Sequence, residues 1–128
     1  MPILKFVRTR PNRDMKYYSG NTDAFQRVLS RHSFDISKIE HTELARVTEY
    51  IFATRDALNA YLNDSDRIAI RDEFNAYNDQ YGITIRLVVI DDENSGRVKF
   101  NSTTNLYDVI SMSETEANAW VIELASTP

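Results

Sequence analysis

The 128-residue chain is 42% hydrophobic and 27% charged, the composition of a globular protein able to bury a core unaided, which excludes extended disorder. It contains no cysteine, which excludes disulfide scaffolds, thiol nucleophiles, iron–sulfur clusters and cysteine-bound zinc. A net charge of -4 at pH 7 disfavours a broad electrostatic grip on nucleic acid, and no apolar run is long enough to cross a bilayer.

The first strand is predicted over residues 3–9, where Leu4 and Phe6 alternate with Ile3 and Val7 so that both sides carry apolar groups. Residues 1–10 lack the unbroken apolar stretch of a secretory signal, and a cytoplasmic protein is expected. A loop rich in charge and turn formers follows over residues 11–21. Thr22 or Asp23 then caps a short helix in which Phe25, Val28 and Leu29 form one narrow apolar stripe. Residues 33–40 and 44–53 read as two strands joined tightly around His41, Thr42 and Glu43.

Thr54 caps the next helix, which carries Leu58, Tyr61 and Leu62, pauses at Asn63-Asp64-Ser65-Asp66 and restarts with Asp64 or Ser65 as cap. In the second half Ile70, Phe74, Tyr77 and Tyr81 keep helical spacing, and Gly82 supplies a left-handed stop. Ile83, Ile85, Leu87 and Val89 then alternate with Thr84, Arg86, Val88 and Ile90, giving a strand with one wholly apolar face.

The order strand, helix, strand, strand, helix, strand predicts an α+β fold with a ferredoxin-like βαββαβ core, a four-stranded antiparallel sheet with its helices on one face. The opposite face, carrying Val88 and Ile90, is too apolar to stay wet, so a homodimer paired through it is expected. A single domain is expected over residues 1–128, with a core at 1–90 and a C-terminal extension at 91–128. In the extension, residues 92–96 read as a turn, 97–100 as a short strand and 102–105 as a loop. Ser113 with Glu116 resembles a capping box for a terminal helix carrying Ala117, Trp120, Val121 and Leu124. A strand over residues 119–124 is the competing reading.

Between Arg46 and Asp66, Glu49-Tyr50-Ile51-Phe52 ends a strand and Asp56-Ala57-Leu58-Asn59-Ala60-Tyr61-Leu62 forms a capped helix that breaks after a small polar cluster. This pattern resembles the dimeric α+β barrel superfamily, which includes antibiotic-biosynthesis monooxygenase-like domains; the likeness runs through the core to Ile90 and is structural. It implies a dimer with sheets packed face to face and a pocket between sheet and helices in each subunit. The chain departs from that superfamily by carrying about forty residues beyond Ile90, which can cover the pocket, cross to the partner or extend the sheet.

His32 and His41 are the only histidines, and their spacing suits no metal site. His32 is expected at a helix end and His41, at the hairpin, in solvent. Glu49 and Arg86 are charges within strands. If they share a cavity they can bind and polarise an acidic or carbonyl ligand, with Tyr50 or His41 as proton donor; pairing across strands is the plainer alternative.

Asp91-Asp92-Glu93 and Asp64-Ser65-Asp66 lack the ligand spacing of a calcium loop and read as capping and solvation. Three glycines form no phosphate loop, and no GxSxG elbow occurs. Arg8, Arg10, Arg13 and Lys16 precede Tyr17 and Tyr18, a basic aromatic stretch of the kind that grips nucleic acid. Residues 45–52, however, lack the basic-Gly-aromatic opening of an RNA-recognition strand and carry Glu49 centrally, so a solvated loop is expected.

The leading expectation is a homodimer that binds a small molecule in a pocket bordered by Tyr50, Arg86, His41 and Glu49, with no metal, cofactor or membrane partner, and with nucleic-acid binding as the weakest alternative. A cofactor-independent monooxygenase-like or isomerase-like enzyme using the same pocket is the alternative.

Overall fold

The computed structural model describes residues 1–17, 22–92 and 94–126. Tyr18, Gly20, Asn21 and Glu93, which belong to the basic loop and to the acidic turn, lie outside the described residues. The chain runs β1 (Ile3–Thr9), α1 (Asp23–Ser30), β2 (Asp35–Thr42), β3 (Ala45–Ile51), α2 (Arg55–Leu62), α3 (Ser65–Ala69), α4 (Arg71–Tyr81), β4 (Thr84–Ile90), β5 (Ser95–Asn101), β6 (Leu106–Met112) and α5 (Glu114–Ser126). The strands form one antiparallel sheet in the order β2-β3-β1-β4-β5-β6.

Helix boundaries follow from side chains that satisfy the free N–H groups of the first turn. Thr22 Oγ1 accepts from the Phe25 N–H at 3.3 Å, Thr54 Oγ1 from the Ala57 N–H at 3.1 Å, and Asp64 Oδ1 from the N–H of Asp66 at 2.9 Å. Gly82 closes α4 with φ 66°, a conformation a side chain rarely adopts. Ser113 Oγ accepts from the Glu116 N–H at 3.1 Å and donates to Glu116 Oε1 at 3.0 Å, which decides for a helix rather than a strand over residues 119–124.

The expected four-stranded sheet is corrected to six strands. After β4 the chain turns back on the same edge, pairing Val88 with Arg97 and Val89 with Gly96, and β5 then pairs with β6 along its whole length. Residues 106–112 alternate Tyr107 and Val109 against Leu106 and Ile110, and this period of two suits a strand. The β2–β3 hairpin is also shifted. Its turn falls at Glu43 and Leu44, which leaves His41 exposed near the end of β2.

The expectation of helices on one face alone is likewise corrected. One face packs Leu4, Phe6, Tyr50 and Val89 against Val28, Leu58, Tyr61 and Leu62 of the first two helices. The other packs Val7, Ala45, Val47, Val88 and Ile90 against Ala117, Val121 and Ala125. These last three residues recur every four positions, so they make a single stripe of small and branched side chains along α5. The apolar face from which a homodimer was inferred is thus covered by the chain's own C-terminal helix.

Candidate functional site

Alternation along the strands places Phe6 and Arg8 of β1, Tyr50 of β3, and Ile85 and Leu87 of β4 on the face opposite α5. Between this face and the helices lies a cavity of about 210 Å³. Phe25 of α1, Tyr61 of α2, Arg67 of α3, and Arg71, Phe74, Asn75 and Asn78 of α4 line it from the helix side. Phe100 of β5 and Tyr107 of β6 close its remaining flank, so the added hairpin is part of the site.

Each arginine is held against an aromatic ring. The Arg67 guanidinium lies 5.1 Å from the ring centres of both Tyr61 and Tyr107, and its Nη1 donates to the Leu62 carbonyl, at the end of α2, at 3.1 Å. Arg8 lies 5.2 Å from the Phe6 ring and Arg71 4.0 Å from the Phe100 ring. Such stacking contributes about 0.5–2 kcal/mol and uses the guanidinium face, leaving its edge N–H donors available. Tyr107 is fixed in turn by its N–H, which donates to Asn63 Oδ1 at 2.8 Å in the break between α2 and α3.

No Asp or Glu lines this cavity among the described residues. Neither Arg8 nor Arg67 has a carboxylate partner among them, and the pairing of Arg71 is with the almost fully exposed Asp72 at 4.0 Å. Arg67 is 9% exposed. Arg8 retains intermediate exposure, yet burial lowers its pKa. Desolvating a guanidinium without a counter-charge is unfavourable by several kcal/mol in the limit, so the site carries an electrostatic cost that an anion would relieve.

Burial, then the neighbouring Tyr61, pushes the Tyr50 hydroxyl up to about 12, and burial likewise raises Tyr61. Both hydroxyls remain protonated through the neutral range, and the rings of Tyr50 and Tyr61 meet edge to face with centres 5.5 Å apart. Phe34 stacks on Tyr50 with ring centres 4.3 Å apart and planes at 19°, which fixes the tyrosine from behind.

Of the residues expected at a pocket, the structure brings only Tyr50 to this cavity. Glu49 lies on the α5 side of the sheet, where its Oε2 is 3.2 Å from Lys5 Nζ. Arg86 is exposed on that same side and donates from Nη1 to the Ile85 carbonyl. His41 is exposed in β2, outside the cavity lining. His32 Nε2 lies 2.8 Å from Asp64 Oδ2 and so joins α1 to the cap of α3. Arg10 of the basic loop donates to the carbonyls of Glu43 and Met15, while Tyr17 lies beneath Arg10 and Arg46.

Arg67, Arg71, Phe100 and Tyr107 were missed as site residues. Arg8 carried a usable signal, because it continues the inward series Leu4, Phe6 as a charge on a face that buries its neighbours. The described fold is α+β with one six-stranded antiparallel sheet, and its site is a cationic, aromatic-lined cavity. No family model, curated protein or solved structure matches this chain.

Proposed function

We propose that the protein binds a small organic anion with an apolar or aromatic body in the cavity between the sheet and helices α1–α4. The observation that carries this reading is the set of three arginines, Arg8, Arg67 and Arg71, in an aromatic cavity that no carboxylate lines among the described residues. Guanidinium edges suit carboxylate or phosphoryl oxygens, and the phenylalanines, Ile85 and Leu87 suit the rest of the molecule.

Binding is favoured over acid–base catalysis by the character of the lining. Its ionisable groups are arginines and tyrosines, which supply fixed positive charge and fixed donors through the neutral range rather than a proton carrier of matched pKa. Isothermal titration with benzoate and with uncharged benzyl alcohol tests the reading. Benzoate is expected to bind and benzyl alcohol to bind at least about tenfold more weakly. Equal affinity for the two would remove the arginines from recognition.

A further inference from the structure

We infer that the cavity selects a phosphate monoester carried on a small flat ring over a monocarboxylate of the same body. This rests on the anion-binding reading above and specifies its head group. Arg8, Arg67 and Arg71 approach from three different elements, β1, α3 and α4, so their donors do not converge as a single fork. A carboxylate offers two oxygens and one negative charge, whereas a phosphoryl group offers three terminal oxygens and close to two charges at neutral pH. Three separately anchored guanidiniums match its three oxygens in number, and their charge is offset more fully by nearly two negative charges than by one.

The donor inventory supports this assignment. A guanidinium has five N–H groups. Arg8 directs Nη1 to Thr48 Oγ1 at 3.2 Å, and Arg67 directs Nη1 to the Leu62 carbonyl at 3.1 Å. Most of their donors are therefore free for oxygens of a ligand. Among the same lining, Phe25 and Phe74 meet edge to face, with ring centres 5.4 Å apart and planes at 70°, and Ile85 and Leu87 add aliphatic surface from the sheet. These groups favour a flat apolar body. The volume of about 210 Å³ lies below the usual range for drug-sized ligands and limits that body to about one ring.

The pH dependence of binding distinguishes the head groups. The charged or titratable groups facing the cavity are Arg8 from β1, Arg67 from α3, Arg71 from α4, and Tyr50, Tyr61 and Tyr107 from β3, α2 and β6. None of these types ordinarily titrates between about pH 5 and pH 8. The change across that interval then belongs to the ligand, whose second ionisation falls near about pH 6.

The test is calorimetric titration of the full chain with phenyl phosphate, benzoate and inorganic phosphate at about pH 8 and about pH 5. Phenyl phosphate is expected to bind about tenfold or more tightly than benzoate at the higher pH, with the preference shrinking several-fold at the lower. Arg71→Gln, at the partly exposed arginine, is expected to weaken phenyl phosphate about tenfold and benzoate less. Equal affinities at the higher pH, or a preference unchanged by pH, overturn the phosphate inference while the anion reading stands. Inorganic phosphate binding as tightly as phenyl phosphate overturns the ring requirement. Binding of none of the three overturns both readings.

Discussion

Arg8 donates from Nη1 to the hydroxyl of Thr48 at 3.2 Å, diagonally across the β1–β3 pair, and this neutral oxygen is its side-chain partner in place of a carboxylate. A cation so placed is retained at a cost to the fold. Arg8→Met keeps the aliphatic stem and removes the desolvated charge, a change that is neutral or stabilising when apolar packing is preserved. The expected result is a melting temperature unchanged or raised by a few degrees, about 1 kcal/mol, together with at least a tenfold loss of benzoate affinity. A destabilised variant that still binds benzoate normally would assign Arg8 to the scaffold alone.

The covering helix gives a second prediction. Val121 is 5% exposed between the sheet residues Val7 and Val88 and the neighbouring α5 alanines. Val121→Asp puts an unpaired carboxylate into that layer and is expected to cost about 3 kcal/mol or more in urea unfolding. Because the same change loosens α5 from an apolar sheet face, light scattering is expected to show more association for the variant than for the parent chain. A variant as stable and as dispersed as the parent would mean that α5 does not seal this face.

Gly96 sits where β5 meets β6. A Cβ built there would fall 2.2 Å from the Ile110 carbonyl oxygen and 2.9 Å from Val109 Cγ1. The first contact is with backbone, which cannot move aside without opening the pairing. Gly96→Ala is therefore expected to destabilise by about 2 kcal/mol and to increase amide exchange in both strands. Since Phe100 and Tyr107 stand on this hairpin, benzoate affinity is expected to fall as well; unchanged exchange in β6 would contradict the close approach.

Asp64 provides a pH prediction. Burial raises its pKa, but hydrogen bonds from His32 and from the N–H groups of Asp66 and Arg67, with the charge of Arg31, outweigh burial and hold it below the ordinary aspartate value. A depressed folded-state pKa stabilises the fold above the unfolded value, about 3.9, and this stabilisation is lost as pH falls through the lower folded value. Asp64→Asn keeps a competent N-cap but removes the titration. It is expected to cost about 1 kcal/mol near neutrality and to flatten the decline in stability below about pH 4, measured by urea unfolding at stepped pH. An identical acid decline in the two proteins would place the effect elsewhere.

Much of the local structure could be read without coordinates. Thr22, Thr54, Asp64 and Gly82 bound their helices because a cap depends on atoms within one turn. The alternation over Ile83, Ile85, Leu87 and Val89 placed β4 and assigned its inward face, because side-chain direction in a strand is set by the backbone period. The β6 strand carried the same signal over an equal length but in a more exposed form. Leu106 and Ile110 are 45% and 43% exposed, so its periodicity is not reinforced by strong burial.

The site was less legible because its members are local accidents until the sheet closes. Glu49 and Arg86 drew notice as charges within strands, but the strand pairing sets Glu49 beside Lys5 on the α5 side of the sheet. Arg8 was grouped with the basic loop that follows it, although strand alternation turns its side chain inward from that loop. Arg67 has no local feature that marks it, and only the return of β6 brings Tyr107 over its second face.

By itself, the sequence determined the α+β class and the position of most helices and strands through residue 90, because those depend on periodicity and on capping within a few residues. Tertiary structure alone decided that β5 and β6 continue the sheet, that α5 covers its far face, and that arginines from β1, α3 and α4 share one cavity. These outcomes depend on strand pairing and layer packing between distant segments, where each side chain's role is set by neighbours that its own stretch of sequence does not contain.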